Sequence, residues 1–175
     1  MFKRMNLVIP VILAAVLFAA SAMPALAMKP ERTTIVDVAL AANAETGEFS
    51  ILIQALLAAD PAVIETLDGN GQFTVFAPTD QAFLDLLDEL GLTADELLGN
   101  EALVTQVLLY HVLHGRRAST PILGSSNLRT LEGGFLAQNG GFLTDENGRT
   151  AQIIGTDIMA DNGIIHVINR VVLPK

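Results

Sequence analysis

The feature that most limits what this chain can fold into is a change of hydrophobic period at Ala118. Before it, apolar residues recur about every 3.6 positions, the repeat of a helix with one buried face. After it they alternate with a period of 2, the repeat of strands. Helices first and strands afterwards predict an α+β domain and argue against a parallel sheet built from alternating crossovers.

In the helical half, Ile35, Val38, Ala39 and Ala42 share one face. Phe49, Leu52, Ile53, Leu56 and Leu57 repeat at i, i+3, i+4, i+7 and i+8, and Pro61 is the expected stop. The turn Asp68-Gly69-Asn70-Gly71 leads into a short strand, Gln72 to Phe76. Thr79 and Asp80 start the next helix, whose stripe of Phe83, Leu86, Leu87 and Leu90 runs to Gly91. Thr93 and Glu96 have capping-box spacing, and Asn100 can cap a helix carrying Val104, Val107, Leu108 and His111 on one side. In the second half, Asn139-Gly140, Asn147-Gly148 and Asn162-Gly163 each separate short strand-like runs. Asn-Gly supplies the positive φ angles of tight hairpins, so an antiparallel meander is expected. Ile164 to Leu173 is apolar on both alternating faces and reads as a central strand.

Residues 1–27 carry Lys3 and Arg4, an apolar run from Leu7 to Ala20 and the small residues Ala25-Leu26-Ala27, the layout of a secretory signal peptide. Residues 28–33 read as a flexible leader and 34–174 as a single domain. No later apolar stretch approaches the roughly 20 residues a bilayer requires, so no membrane span is expected after cleavage. Beyond residue 27 the chain holds 8 Lys+Arg against 19 Asp+Glu, a formal charge of 8 − 19 = −11. A surface of that sign repels a polyanion, which excludes nucleic acid as a partner. With no Cys there is neither a disulfide framework nor thiolate chemistry.

The residues that could carry chemistry do not assemble into a site. His111 and His114 are three apart, but no His-Glu-x-x-His pattern accompanies them. The two segments that begin like calcium loops, at Asp68 and Asp145, have Thr79 and Thr156 where a bidentate Glu is required. Ser119, Ser125 and Ser126 fall in an expected loop without nucleophile-elbow spacing. Pairs such as Asp85 with Asp88 lie on solvated helix faces. No metal, no cofactor and no catalytic activity are therefore expected. What stands out instead is polar residues inside apolar runs: Tyr110 and His111 within Leu108 to Leu113, and His166 within Ile164 to Ile168. Buried imidazole and phenol groups need partners, and these are expected to tie the helix layer to the sheet.

Three segments carry a family resemblance: Thr74-Val75-Phe76-Ala77-Pro78-Thr79-Asp80-Gln81-Ala82-Phe83, then Tyr110-His111-Val112-Leu113, then Asn162 to Pro174 (NGIIHVINRVVLP). In order and spacing they resemble the two signature blocks and the Tyr-His motif of the fasciclin domain, over nearly all of the chain from about Thr34. The resemblance implies an antiparallel twisted β-wedge or sandwich with helices packed over one side, and a non-enzymatic role in adhesion outside the cell. In matrix members of that family, an Asp-Ile pair before the final block and the Tyr-His segment are implicated in integrin contact. Tyr110, His111, Asp157 and Ile158 stand at those places, and are the candidate partner-binding residues for a cell-surface or matrix protein. Matrix members carry several units and often cysteines. One unit, no Cys, no Arg-Gly-Asp and no Asn-x-Ser/Thr look instead like small bacterial members. On this basis Asp157→Ala should weaken binding without weakening the fold, and His111→Ala should mainly destabilise. The alternative is a periplasmic or surface domain for a polysaccharide or small ligand, using apolar clefts between helices and sheet.

Overall fold

Among the described residues, five helices begin at a side chain of their own that accepts from an otherwise unpaired backbone amide, and two borrow theirs from elsewhere in the chain. The computed structural model describes residues 32–175, which form one compact unit. The expected signal peptide and most of the expected leader lie outside the described residues. Helix α1 (Ile35–Thr46) starts with a capping box between Thr34 and Asp37 and ends at Gly47 with φ +71°. Asp60 caps α3 (Pro61–Asp68), Thr79 caps α4 (Asp80–Leu90), Thr93 and Glu96 box α5 (Ala94–Leu98), and Asn100 caps α6 (Glu101–Tyr110). Helix α2 (Ser50–Ala58) has no such residue. Its first amides, Ser50 N and Ile51 N, donate to the Asp80 carboxylate at 3.1 and 2.8 Å. Helix α7 (Ser119–Leu123), where a loop was expected, is capped in the same borrowed way by Asp157. Pro61 does not stop α2, which ends at Ala58. It opens α3, where its missing N–H is not needed.

The strands are β1 (Phe73–Pro78), β2 (Val112–His114), β3 (Asn127–Arg129), β4 (Phe135–Asn139), β5 (Phe142–Thr144), β6 (Thr150–Ala160) and β7 (Gly163–Ile168). They form one sheet in the order β2-β1-β7-β6-β5-β4-β3. From β3 to β7 this is the antiparallel meander read from the Asn-Gly pairs. The long-range addition is β1, which lies parallel to β7 over Phe73–Pro78 and antiparallel to β2. Strand β7 is central and buried at all six positions, but ends at Ile168; Val171 and Val172 are buried without strand pairing.

The sheet folds back until its two edge strands meet. Leu113 of β2 bridges Thr130, next to β3, and Leu131 N donates to Val112 O at 2.7 Å. Folding creates two cores from the alternating faces of the same strands. One, with Val75, Ala77, Ile165 and Val167, packs under the helices. The other, inside the folded sheet, gathers Phe76, Leu113, Leu128, Leu136, Leu143, Ile168 and the Tyr110 ring. No single helix among the described residues is long and apolar enough to cross a membrane.

The Asn162-Gly163 pair does not make the expected positive-φ turn. Gly163 has an ordinary φ, and glycine is required there for space: a Cβ would stand 2.3 Å from Phe73 O and 2.4 Å from Ile35 Cδ1. Asn162 is fully buried. Its Oδ1 accepts from Ile35 N at 2.8 Å, its Nδ2 donates to Leu67 O, and its backbone carbonyl accepts from Phe73 N at 3.0 Å. One residue thereby fixes the start of α1, the end of α3 and the entry to β1.

Candidate functional site

Tyr110 is the last residue of α6 and His111 its C-cap, so the helix delivers both side chains into the interior. Tyr110 is 0% exposed; its hydroxyl donates to Phe135 O at 2.7 Å and accepts from Glu146 N at 3.4 Å. Burial pushes the phenol up to about 12. Its ring needs Gly134 alongside, where a Cβ would come within 2.8 Å. His111 is 2% exposed, with Nδ1 donating to Val107 O at 2.7 Å and Nε2 accepting from Val172 N at 3.2 Å. Those partners assign the neutral Nδ1–H tautomer, and burial lowers the imidazole to about 4. The anticipated helix-to-sheet tie is instead a tie between α6 and the tail that follows β7. Neither side chain presents surface to a partner in the folded chain.

Asp157 and Ile158 lie on β6, which carries two one-residue bulges against β7, the second between Gly155 and Ile158. Within that bulge Asp157 is the one described non-glycine residue with positive φ, at +62°. This turns its carboxylate to α7, where Oδ1 accepts from Ser119 N at 2.8 Å and Oδ2 from the Ser119 hydroxyl. The Ser119 hydroxyl and amide hold the carboxyl below its ordinary range. Asp157 thus has a structural role as the cap of α7, which the sequence reading did not foresee. Ile158 is half-buried and packs towards Val38, Ala42 and Phe49 on the helix side. The four candidates are not brought together: Tyr110 belongs to the inner core and Ile158 to the helix-facing one.

Two residues that the sequence did not single out as partners, Ser119 and His166, join Asp157. His166 is fully buried; its Nδ1 accepts from Asp157 N at 3.3 Å and its Nε2 donates to Arg117 O at 2.9 Å. Ser119, Asp157 and His166 therefore cluster, but in an order unlike a hydrolytic triad. The carboxylate takes the serine hydroxyl directly, and the imidazole faces only backbone, so no base is aimed at the nucleophile. Both ring nitrogens of His111 and of His166 are engaged, which leaves none for a metal ion. The sequence signal for His166 was its polarity within an apolar run. For Asp157 the only signal was that Asp tolerates left-handed backbone, which is too general to locate a bulge. On either side of the bulge, Ile154 and Met159 are each 54% exposed, and Arg116 reaches the Met159 sulfur at 3.5 Å.

Comparison with known proteins matches these features to one family. The fasciclin domain model matches residues 47–174. The "Uncharacterized protein sll1735" of Synechocystis sp. is 38% identical over 127 residues, covering 71% of this chain and 89% of that protein. Pig "Transforming growth factor-beta-induced protein ig-h3" is 35% identical over 149 residues, 84% of this chain but 20% of that protein. Human periostin is 32% identical over 114 residues, 64% of this chain and 13% of its own length. Among solved structures, the FAS1 domain pair from the insect cell adhesion molecule fasciclin I shares the fold. Its TM-score is 0.57 with 19% identity, covering 73% of this chain, which spans 46% of that chain's length. The helix-covered, folded-over sheet and the match across three quarters of the sequence lead to one conclusion: this chain belongs to the fasciclin domain family.

Proposed function

We propose that the chain is an exported, non-enzymatic adhesion module, with residues 1–27 as its signal peptide and one unit over 34–174. It contacts a cell-surface or matrix protein through the exposed side chains that flank Asp157 and Ile158 on β6. The observation that carries this proposal is the exposure of Ile154 and Met159, two large apolar side chains on the stretch of β6 that pairs with β7 alone, flanking the Asp157 bulge with Arg116 beside them. Aliphatic surface mixed with isolated charge is the character of a protein-contact patch. Family membership supports the adhesive role. Tyr110 and His111 contribute by fixing α6 and the chain end, not by touching the partner. A single weak patch gains strength from multivalent display on a surface.

The test is attachment of cells or matrix preparations to surface-coated protein, comparing wild type with Ile154→Gln/Met159→Gln. Attachment should fall at least fivefold while Tm is retained; undiminished attachment overturns the assignment of the patch. Fractionation into cytosol, periplasm and medium tests export. As for a ligand between helices and sheet, the apolar cavities there are about 30 and 10 Å³, room for a water-sized group and too small for a sugar.

A further inference from the structure

The seam where the sheet closes on itself is incomplete, and its open end is cationic. Pairing runs from Val112 with Leu131 to Leu113 with Thr130. Continued by one step in antiparallel register it would set His114 opposite Arg129, but the strands part there. The gap is a cleft of about 410 Å³ lined by His114, Arg117, Arg129, Thr130, Leu131 and Gly133. Two arginines line it in a protein whose acidic residues outnumber its basic ones by 19 to 10. Among the described residues the other arginines are occupied: Arg149 and Arg170 pair with Glu89, Arg32 reaches Asn70, and Arg116 turns to Met159. Among the described residues, the side chains of Arg117 and Arg129 have neither an ion pair nor a hydrogen bond. Glu132, the acid nearest in sequence, is already engaged by Gln106 Nε2 and by Gly134 N.

We infer that this cleft binds a carboxylate-bearing ligand the size of one sugar residue, a uronic acid, with Arg117 and Arg129 holding the carboxylate. A planar guanidinium matches a carboxylate through two parallel hydrogen bonds. The volume lies within the range of small-ligand pockets and far exceeds what an inorganic anion fills. The Leu131 side chain and the His114 ring supply apolar surface for the C–H face of a pyranose. Two cations in a strongly acidic molecule suit one acidic sugar, whereas a long polyanion meets repulsion everywhere outside the cleft. The inference is independent of the β6 contact patch, since it uses other residues and another readout.

The experiment is a titration of the purified protein, followed by backbone amide NMR and by calorimetry, with glucuronate, glucose, inorganic phosphate, a uronate tetrasaccharide and a tetraglutamate peptide. Glucuronate should shift amides of residues 114–117 and 129–134 and bind at least tenfold more tightly than glucose or phosphate. Arg117→Ala and Arg129→Ala should each weaken it at least fivefold with Tm unchanged, since the ordered contacts of both residues are backbone ones. Equal binding of monosaccharide and tetrasaccharide identifies a chain-terminal uronate; binding of the monosaccharide alone identifies the free sugar acid. Phosphate equal to glucuronate, preference for the peptide, shifts elsewhere, or undiminished binding by both variants overturns the assignment.

Discussion

The Asp157 carboxylate receives both the backbone amide and the hydroxyl of Ser119, a residue 38 positions earlier, and so supplies the N-terminal cap that α7 lacks in its own sequence. The left-handed backbone at Asp157 that makes this contact is itself held by His166, which accepts from Asp157 N. Helix α7, the bulge in β6 and the central strand β7 are consequently one mechanical unit.

Asp157→Ala should therefore lower Tm, and by more than Ser119→Ala does. It removes both acceptors and places a β-carbon residue with no compensating side chain at φ +62°. Asp157→Asn, which tolerates that backbone and keeps one acceptor, should fall between wild type and Asp157→Ala. Because the folded carboxyl titrates below its ordinary range, its contribution is complete above the unfolded aspartate value and is lost as pH falls through the folded one. Thermal melts of the three variants check the order, and equal Tm for Asp157→Ala and wild type would refute the capping role.

Acid should destabilise the fold well before the carboxylates titrate. His111 is neutral and buried, with its folded value depressed to about 4 from 6.5. Between those values the unfolded chain binds the extra proton, so stability is fully present above 6.5 and is lost as pH falls to 4. The loss is about 3 kcal/mol, from roughly 1.4 kcal/mol per unit. Urea midpoints at pH 7.5, 6, 5 and 4 should decline accordingly. His111→Gln should be weaker at pH 7.5 yet show a flatter decline, which separates this residue from the acidic ones.

Tyr110 is the lone tyrosine in a chain without tryptophan, so its ionisation can be followed directly by ultraviolet absorbance. The phenolate should not appear near pH 10 but close to 12, or abruptly where the fold gives way. Here the raised folded value means that the contribution is intact below pH 10 and disappears between 10 and 12. Tyr110→Phe should cost about 1 kcal/mol, the usual net worth of a buried hydrogen bond, because Phe135 O loses its donor. A normal titration near 10 would show that the ring is open to water.

At the β6–β7 corner, Gly163→Ala should cost about 2 kcal/mol or more. The added methyl meets the Phe73 carbonyl, and backbone cannot move aside as a flexible side chain can. Asn162→Ala should be worse, about 3 kcal/mol, since it leaves Ile35 N, Leu67 O and Gly69 O without their shared partner. Chemical denaturation of both variants measures this, and a loss under 1 kcal/mol in either would mean that the corner relaxes.

Local sequence carried a large part of the architecture. The 3.6-residue stripes, the capping side chains Thr79, Thr93 and Asn100, and the Asn139-Gly140 and Asn147-Gly148 hairpins all act within a few residues of themselves. The starts of those helices and the antiparallel meander were therefore written in the order of residues, whereas α3 and α7 were not read there. The burial of β7 on both faces was legible for the same reason, as an apolar run without alternation. What only the tertiary structure decided is every feature whose partner is far along the chain. Strand β1 pairs with β7 in parallel, Asp80 and Asp157 cap helices that they do not belong to, and Gly163 is glycine because of Phe73 and Ile35. Tyr110 and His111 are interior groups satisfied by backbone, and the edges of β2 and β3 meet and then part to leave the Arg117–Arg129 cleft. A hydrophobic period specifies which face of an element is buried, but not which surface it meets. That choice is made when the whole chain collapses and each buried amide, carbonyl and carboxylate must find the partner that the collapse brings within reach.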